Sequence, residues 1–202
     1  MRILPGEKLL VATGNLGKLA EISALLSRFQ VVVTSMTDLE LAEPAETAQD
    51  FAGNALLKAR AGAQASGLLT LADDSGLVVD ALGGAPGIYT ADWAEGAKGR
   101  DFGRAMAKTW GFLQAVNAKA PWTATFRCTL ALVRPGGEAA VFEGRVAGQI
   151  VWPMRGRLGH GYDPIFMPDG YQATFGEMGE VVKNRISHRA DALAKLMKEC
   201  FT

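Results

Sequence analysis

Long hydrophobic runs are missing from this 202-residue chain. No apolar stretch approaches the roughly 20 residues that span a bilayer. The start, Met1 to Glu7, also lacks the apolar core of a signal peptide, which sets the expectation of a cytosolic protein. Neither sign of charge is in excess, with Lys plus Arg and Asp plus Glu at 21 each. A neutral chain creates no general field for gripping a long polyanion, so neither nucleic acid nor a membrane is an expected partner; a small anionic ligand fits better. Cysteine is scarce. Cys128 and Cys200 are far apart and form no CxxC pair, so a disulfide framework and a thiolate metal site are both excluded. Repeats, linkers and low-complexity segments are absent too.

What remains is an ordinary globular composition, 49% hydrophobic and 21% charged, which excludes extensive disorder. The length suits one domain, residues 1–202, built as two lobes sharing a core. Lys8 to Thr13 reads as a buried strand entering a turn at Gly14-Asn15. Leu19, Ile22, Leu25, Leu26 and Phe29 then share one face of a helix, and Val31 to Val33 starts the next strand. This opening predicts an α/β fold. Thr37 to Gln49 reads as an acidic loop, and Phe51 to Ser66 as an alanine-rich helix with Phe51, Ala55, Leu56, Ala59 and Ala63 inward. Leu68 to Ala72 is a strand ending at Asp73-Asp74-Ser75-Gly76, after which Leu77 to Leu82 resumes the extended pattern. Phe102 to Val116 is a helix, Thr123 to Val133 and Ala139 to Ala147 a hairpin, and Gly156 to Pro168 a loop. A last helix runs to Cys200, with Ser187 as its N-cap.

Five segments carry chemistry. Thr13-Gly14-Asn15-Leu16-Gly17-Lys18 joins a strand to a helix, where backbone N–H groups favour anions and Lys18 adds a full charge. It is not a Walker loop, since GxxxxGK[ST] is absent; taken alone, it could equally be an ordinary turn. Asp73-Asp74 after an apolar strand is costly unless solvated, paired or bound to a metal, and hard oxygens of this kind suit Mg²⁺ carried in with phosphates. Neighbours in extended backbone point to opposite faces, so one acid of the pair is expected in any one site. The acidic loop ending at Glu46-Thr47 means little by itself. Gly159-His160-Gly161-Tyr162-Asp163-Pro164 suggests a close-fitting loop against a flat base, although a structural turn is the plainer reading. Lys183-Asn184-Arg185-Ile186-Ser187-His188-Arg189 would converge donors at a helix start, and a solvated basic helix start is its plainer reading. The chain's two histidines, His160 and His188, both fall in these last two segments.

Together the segments LLVATGNLGKLAEI, AETAQDFAGNALLKARAGA, LADDSGLVVDALGGAPGIY, GHGYDPIF and KNRISHR, in order from residue 9 to 189, resemble the inosine triphosphate pyrophosphatase family. The resemblance implies an elongated mixed β-sheet flanked by helices, in two lobes with a central nucleotide cleft. It implies hydrolysis of ITP, dITP and XTP to the monophosphate and pyrophosphate with Mg²⁺, keeping these purines out of DNA and RNA, and a cytoplasmic homodimer. It makes Thr13 to Lys18 the phosphate cradle, with Lys58 as a second phosphate-facing lysine. It makes Glu46 and Asp74 metal-binding carboxylates, Asp74 also the general base, and Ser75 a nucleotide contact. His160, Gly161, Tyr162, Asp163, Lys183, His188 and Arg189 become the base-recognition set.

Three positions depart from the family pattern. Gly53 stands where an acid usually precedes Asn-Ala, His160 replaces the commoner phenylalanine, and Asp92 occupies a position often held by arginine. Competing readings are a pyrophosphatase for modified pyrimidines or standard dNTPs, a nucleotide sensor without turnover, and an α/β domain whose loops are only structural.

Overall fold

The computed structural model describes residues 1–97 and 99–201. Its sheet has six strands, β1 (Lys8–Val11), β2 (Val32–Ser35), β3 (Leu69–Val79), β4 (Thr123–Val133), β5 (Ala139–Ile150) and β6 (Phe166–Pro168), in the order β2-β1-β3-β4-β5-β6. β1 pairs in parallel with β2 and β3, whereas β5 and β6 are antiparallel, so the sheet is mixed. The helices are α1 (Leu16–Leu26), α2 (Phe51–Ser66), α3 (Phe102–Ala115), α4 (Glu180–Ile186) and α5 (His188–Cys200). The chain is thus an α/β protein with a mixed sheet.

Two compact units divide the chain. One comprises residues 1–74, 128–144 and 191–202, the other residues 75–127 and 145–190. In the first, β1 is apolar on both faces, as a strand covered on both sides must be. Leu9 and Val11 pack with Ile22 and Leu26 of α1 and Leu193 and Leu196 of α5, while Leu10 and Ala12 pack with Ala55, Ala59 and Ala63 of α2. The small residues of α2 allow close approach: a Cβ on Gly62 would lie 2.8 Å from Thr70 Cγ2 and 3.2 Å from a Leu10 methyl. Asp50 caps α2, its carboxylate accepting from the Gly53 N–H at 2.6 Å. Cys128 and Cys200 are fully buried in this unit's core.

The second unit is aromatic. Leu77, Val79, Met106, Leu113, Phe126, Tyr162, Phe166 and Phe175 form its core. Trp110 stacks on Trp152 at 5.6 Å, with Trp122 edge-on at 4.8 Å. Trp93 lies against Phe112 with the Lys108 ammonium 4.5 Å from its ring. Trp93 and Trp152 are partly buried against this unit's core.

Several expectations need correction. Asp73-Asp74-Ser75-Gly76 does not end a strand: β3 runs through it for 11 residues, and residues 80–82 form a 3₁₀ turn rather than extended chain. Adjacent acids in a sequence look like a strand terminus, whereas here the Lys18 ion pair with Asp73 and the Asn54 hydrogen bond to Asp74 let the strand carry them inward. The stretch read as loop from Gly156 to Pro168 closes with β6, whose pairing with β5 extends that strand to Ile150. α4 was not foreseen, since its seven residues bury no side chain and show no apolar face.

Candidate functional site

The first functional cluster lies wholly in the first unit. β1 delivers the chain to Thr13, whose hydroxyl accepts from the Asn15 N–H at 3.2 Å, and Asn15 caps α1 by accepting from the Lys18 N–H at 3.1 Å. The Asn15 carbonyl-side oxygen is therefore occupied with capping. No acid stands in the first turn of α1, so its positive end is not offset from within the helix. Gly14 lies beside the acidic loop: a Cβ there would come 2.8 Å from Glu43 Oε2, the end of an exposed side chain free to shift. Leu16, by contrast, is 74% exposed.

Lys18 reaches back to β3, where its Nζ lies 2.9 Å from Asp73 Oδ2. Lys58, on the inner face of α2, is ion-paired with Glu46. Burial alone would lower the Lys58 pKa, but Asp73, Glu46 and Asp74 outweigh it and hold the ammonium charged. Asp74 is buried, and its pKa is pushed up to about 6, chiefly by burial, with Glu46 adding repulsion and Lys58, Asn54 and Lys18 opposing. Both acids of the pair thus act within reach of Lys58, where one had been expected. Asn54 escaped the sequence reading. Its side chain donates to Asp74 Oδ2 at 3.2 Å and accepts from the Ala48 N–H at 2.9 Å, joining the Glu46 loop to the strand. The available signal was a poor helix former at a buried helical position four residues before Lys58, hence on its face.

Three carboxylates, Glu46, Asp73 and Asp74, therefore surround two ammonium groups. Among the described residues no set of three or more His, Cys, Asp or Glu side chains is grouped to hold a metal ion. A buried carboxylate that burial disfavours, beside a second on a half-exposed side chain, nevertheless suits Mg²⁺, which takes one or two protein carboxylates and fills its shell with water and substrate phosphate.

The second cluster lies in the other unit. Gly159 and Gly161 have φ of +74° and +64°, a left-handed backbone that bends the loop around exposed His160. A Cβ on Gly159 would overlap the Asp163 carboxylate. That carboxylate is buried, accepts from the His160 N–H at 2.6 Å and is ion-paired with Lys183 of α4. Tyr162 is 1% exposed; its hydroxyl donates to the Thr90 carbonyl at 3.2 Å, its ring meets Phe102 edge-on, and burial raises its pKa. It serves as an anchor for the loop. Ser187 caps α5 as expected, accepting from the Ala190 N–H at 3.1 Å, and places His188 and Arg189 in the first turn. Both are buried, and the imidazole stacks on Phe126 at 4.9 Å and 14°. Ser75 belongs to this unit by one residue. Gly53 leaves no room for the acid expected there: a Cβ would meet Ala48 Cβ at 2.6 Å.

Comparison with known proteins shows the family to which the chain belongs. A family model described as the Ham1 family matches residues 9–199. A dITP/XTP pyrophosphatase of Ruegeria pomeroyi is 52% identical over 200 residues, 99% of this chain and 98% of that protein. One from Agrobacterium fabrum is 48% identical over 211 residues, covering 99% of each. Among solved structures, a HAM1 protein from Coxiella burnetii superposes with a TM-score of 0.88 at 34% identity, over 95% of this chain and 97% of that one. A nucleoside-triphosphatase / dITP/XTP pyrophosphatase from Mycobacterium abscessus gives 0.77 at 42%, over 94% and 98%.

Proposed function

Since the chain belongs to the Ham1 family, we propose that it is a dITP/XTP pyrophosphatase, hydrolysing ITP, dITP and XTP to the monophosphate and pyrophosphate. The observation that carries the mechanism is the buried Asp74 carboxylate with its pKa near 6, set among Lys58, Lys18 and Glu46. A carboxylate poised close to neutral pH is suited to take a proton from the attacking water when it holds the ion through water, since direct ligation would lower its pKa. Lys18 and Lys58 exchange their carboxylate partners for phosphate oxygens and offset charge that builds on the leaving pyrophosphate. The α1 N-terminus, from Asn15 to Lys18, receives phosphate on its backbone N–H groups. Glu46 and Asp74 are the residues that would hold Mg²⁺. When bound, the ion supplies Lewis-acid neutralisation of the triphosphate. Asn54 keeps Asp74 oriented throughout.

The purine end falls to the second cluster. Hypoxanthine and xanthine present a carbonyl acceptor at position 6, adenine an amino donor. Donors from His188 and Arg189 pair with the former and leave the latter mismatched, which costs orders of magnitude in rate when buried. His160 and Gly161 cover the flat face, while Tyr162 and Asp163 hold that loop and Lys183 in place. Ser75, next to the base Asp74, contacts the nucleotide. The protein works in the cytoplasm, as a homodimer.

Pyrophosphate release from ITP, XTP, GTP and ATP, measured side by side with and without Mg²⁺, tests the assignment. ITP and XTP should be turned over far faster than ATP, and only with the metal. Release of single phosphates, or equal turnover of ATP, would discard it.

A further inference from the structure

We infer that Phe126 of β4 is a positioning residue for purine selection: it fixes the plane of the His188 imidazole. The inference rests on the proposed role of His188 at the base. His188 opens α5, and a residue in a helix's first turn has no preceding turn to limit its side chain. Its plane must be set by a neighbour. Phe126 lies face to face with it, 4.9 Å between centroids and 14° between planes. Stacking leaves the ring's nitrogen-bearing edge directed in the plane, where a hydrogen bond to a purine edge has to form, and such bonds weaken steeply as the ring tilts away. The Phe126 ring is itself immobilised. It packs against Phe166 at 4.6 Å and 59° and lies parallel to Phe175 at 6.1 Å and 17°, and both of those rings are fully buried. The Lys183 ammonium sits 5.7 Å from the Phe175 ring, so one aromatic column backs two members of the second cluster.

The test compares kcat/KM for ITP and ATP in wild type, Phe126→Leu, Phe126→Tyr, His188→Ala and the double variant Phe126→Leu/His188→Ala. Phe126→Leu should raise KM for ITP more than it lowers kcat and reduce the ITP-to-ATP preference about three- to tenfold, the range a stacked aromatic pair supplies. Phe126→Tyr, which keeps the ring, should retain the preference whatever its Tm. Adding Phe126→Leu to His188→Ala should cost no further preference, since the ring being oriented is gone. If His188→Ala destroys the preference and Phe126→Leu leaves it untouched, the inference falls alone. An unchanged preference in His188→Ala removes the base-end reading, and the inference with it. Should Phe126→Leu fail to fold, the wild-type protein decides by proton NMR. With two histidines in the chain, His188→Asn assigns the signals. The His188 ring protons should lie upfield, over the face of Phe126, and ordinary positions for them would overturn the proposal.

Discussion

Asp74 carries the most informative charge in the chain. Its pKa rises from 3.8 to about 6 on folding, mainly through burial. A raised carboxyl leaves stability intact below the unfolded value and removes it as pH climbs through the folded one. For metal-free protein that loss is about 3 kcal/mol above pH 7. Asp74→Asn should therefore abolish pyrophosphate release while raising Tm in EDTA at pH 8, with the gain fading by pH 4. A variant that keeps most of its activity would remove Asp74 from its role. Lys18 makes the complementary case. Its ammonium holds Asp73 from a side chain still 22% exposed, so it can turn to a ligand. Lys18→Ala should weaken ITP binding far more than inosine binding by calorimetry, and equal losses would contradict a phosphate cradle. At this scale the sequence shows Thr13 to Lys18 as the join between a strand and a helix, which the structure bears out with Asn15 as the cap, whereas the chemical roles of TGNLGK and DDSG come from the family resemblance. For Asn54 the sequence offers only a poor helix former one turn before Lys58, because the partner that its side chain meets lies on a strand 20 residues away.

Two helical glycines show how an element's surroundings reverse a propensity. Glycine inside a helix costs about 1 kcal/mol relative to alanine. Gly111 of α3 meets nothing within 4 Å of a would-be Cβ, so Gly111→Ala should add up to about 1 kcal/mol in urea unfolding. Gly62 of α2 faces Thr70, Leu10 and Ala12 at 2.8 to 3.4 Å. Gly62→Ala should instead cost about 1–3 kcal/mol, the usual penalty for overpacking. Were both variants to gain stability, α2 would not lie as close to the sheet as its alanines suggest. Elements with a strong period, such as α2 and β4, were legible to the residue. β6 and α4 were not: three residues give no alternation to read, and α4 exposes Val181 and Val182 and gains its place through the ion pair of Lys183 with Asp163.

For the whole molecule, the α/β class followed from the opening β-α-β pattern, and the sheet order from no sequence feature at all, because pairing of β3 with β1 and of β6 with β5 depends on packing distant in the chain. The division into units is similarly hidden. The passages from one unit to the other fall inside β3, β4, β5 and α5 rather than in linkers between elements. Residues 191–202 consequently complete the core of the unit that residues 1–74 begin. Leu196→Ala, at a fully buried position in that core, should lower stability by about 2–5 kcal/mol, read by denaturant titration. A loss under about 1 kcal/mol would mean the C-terminal turns are dispensable.

The partition of side chains between units also equips the protein with two separate reporters. Trp93, Trp110, Trp122 and Trp152 account for every indole in the chain, and all fall in the second unit. Both thiols fall in the first, shielded from solvent. Intrinsic fluorescence will therefore follow one half of the molecule and maleimide uptake the other, so that staggered melting of the halves could be observed without attaching a single label.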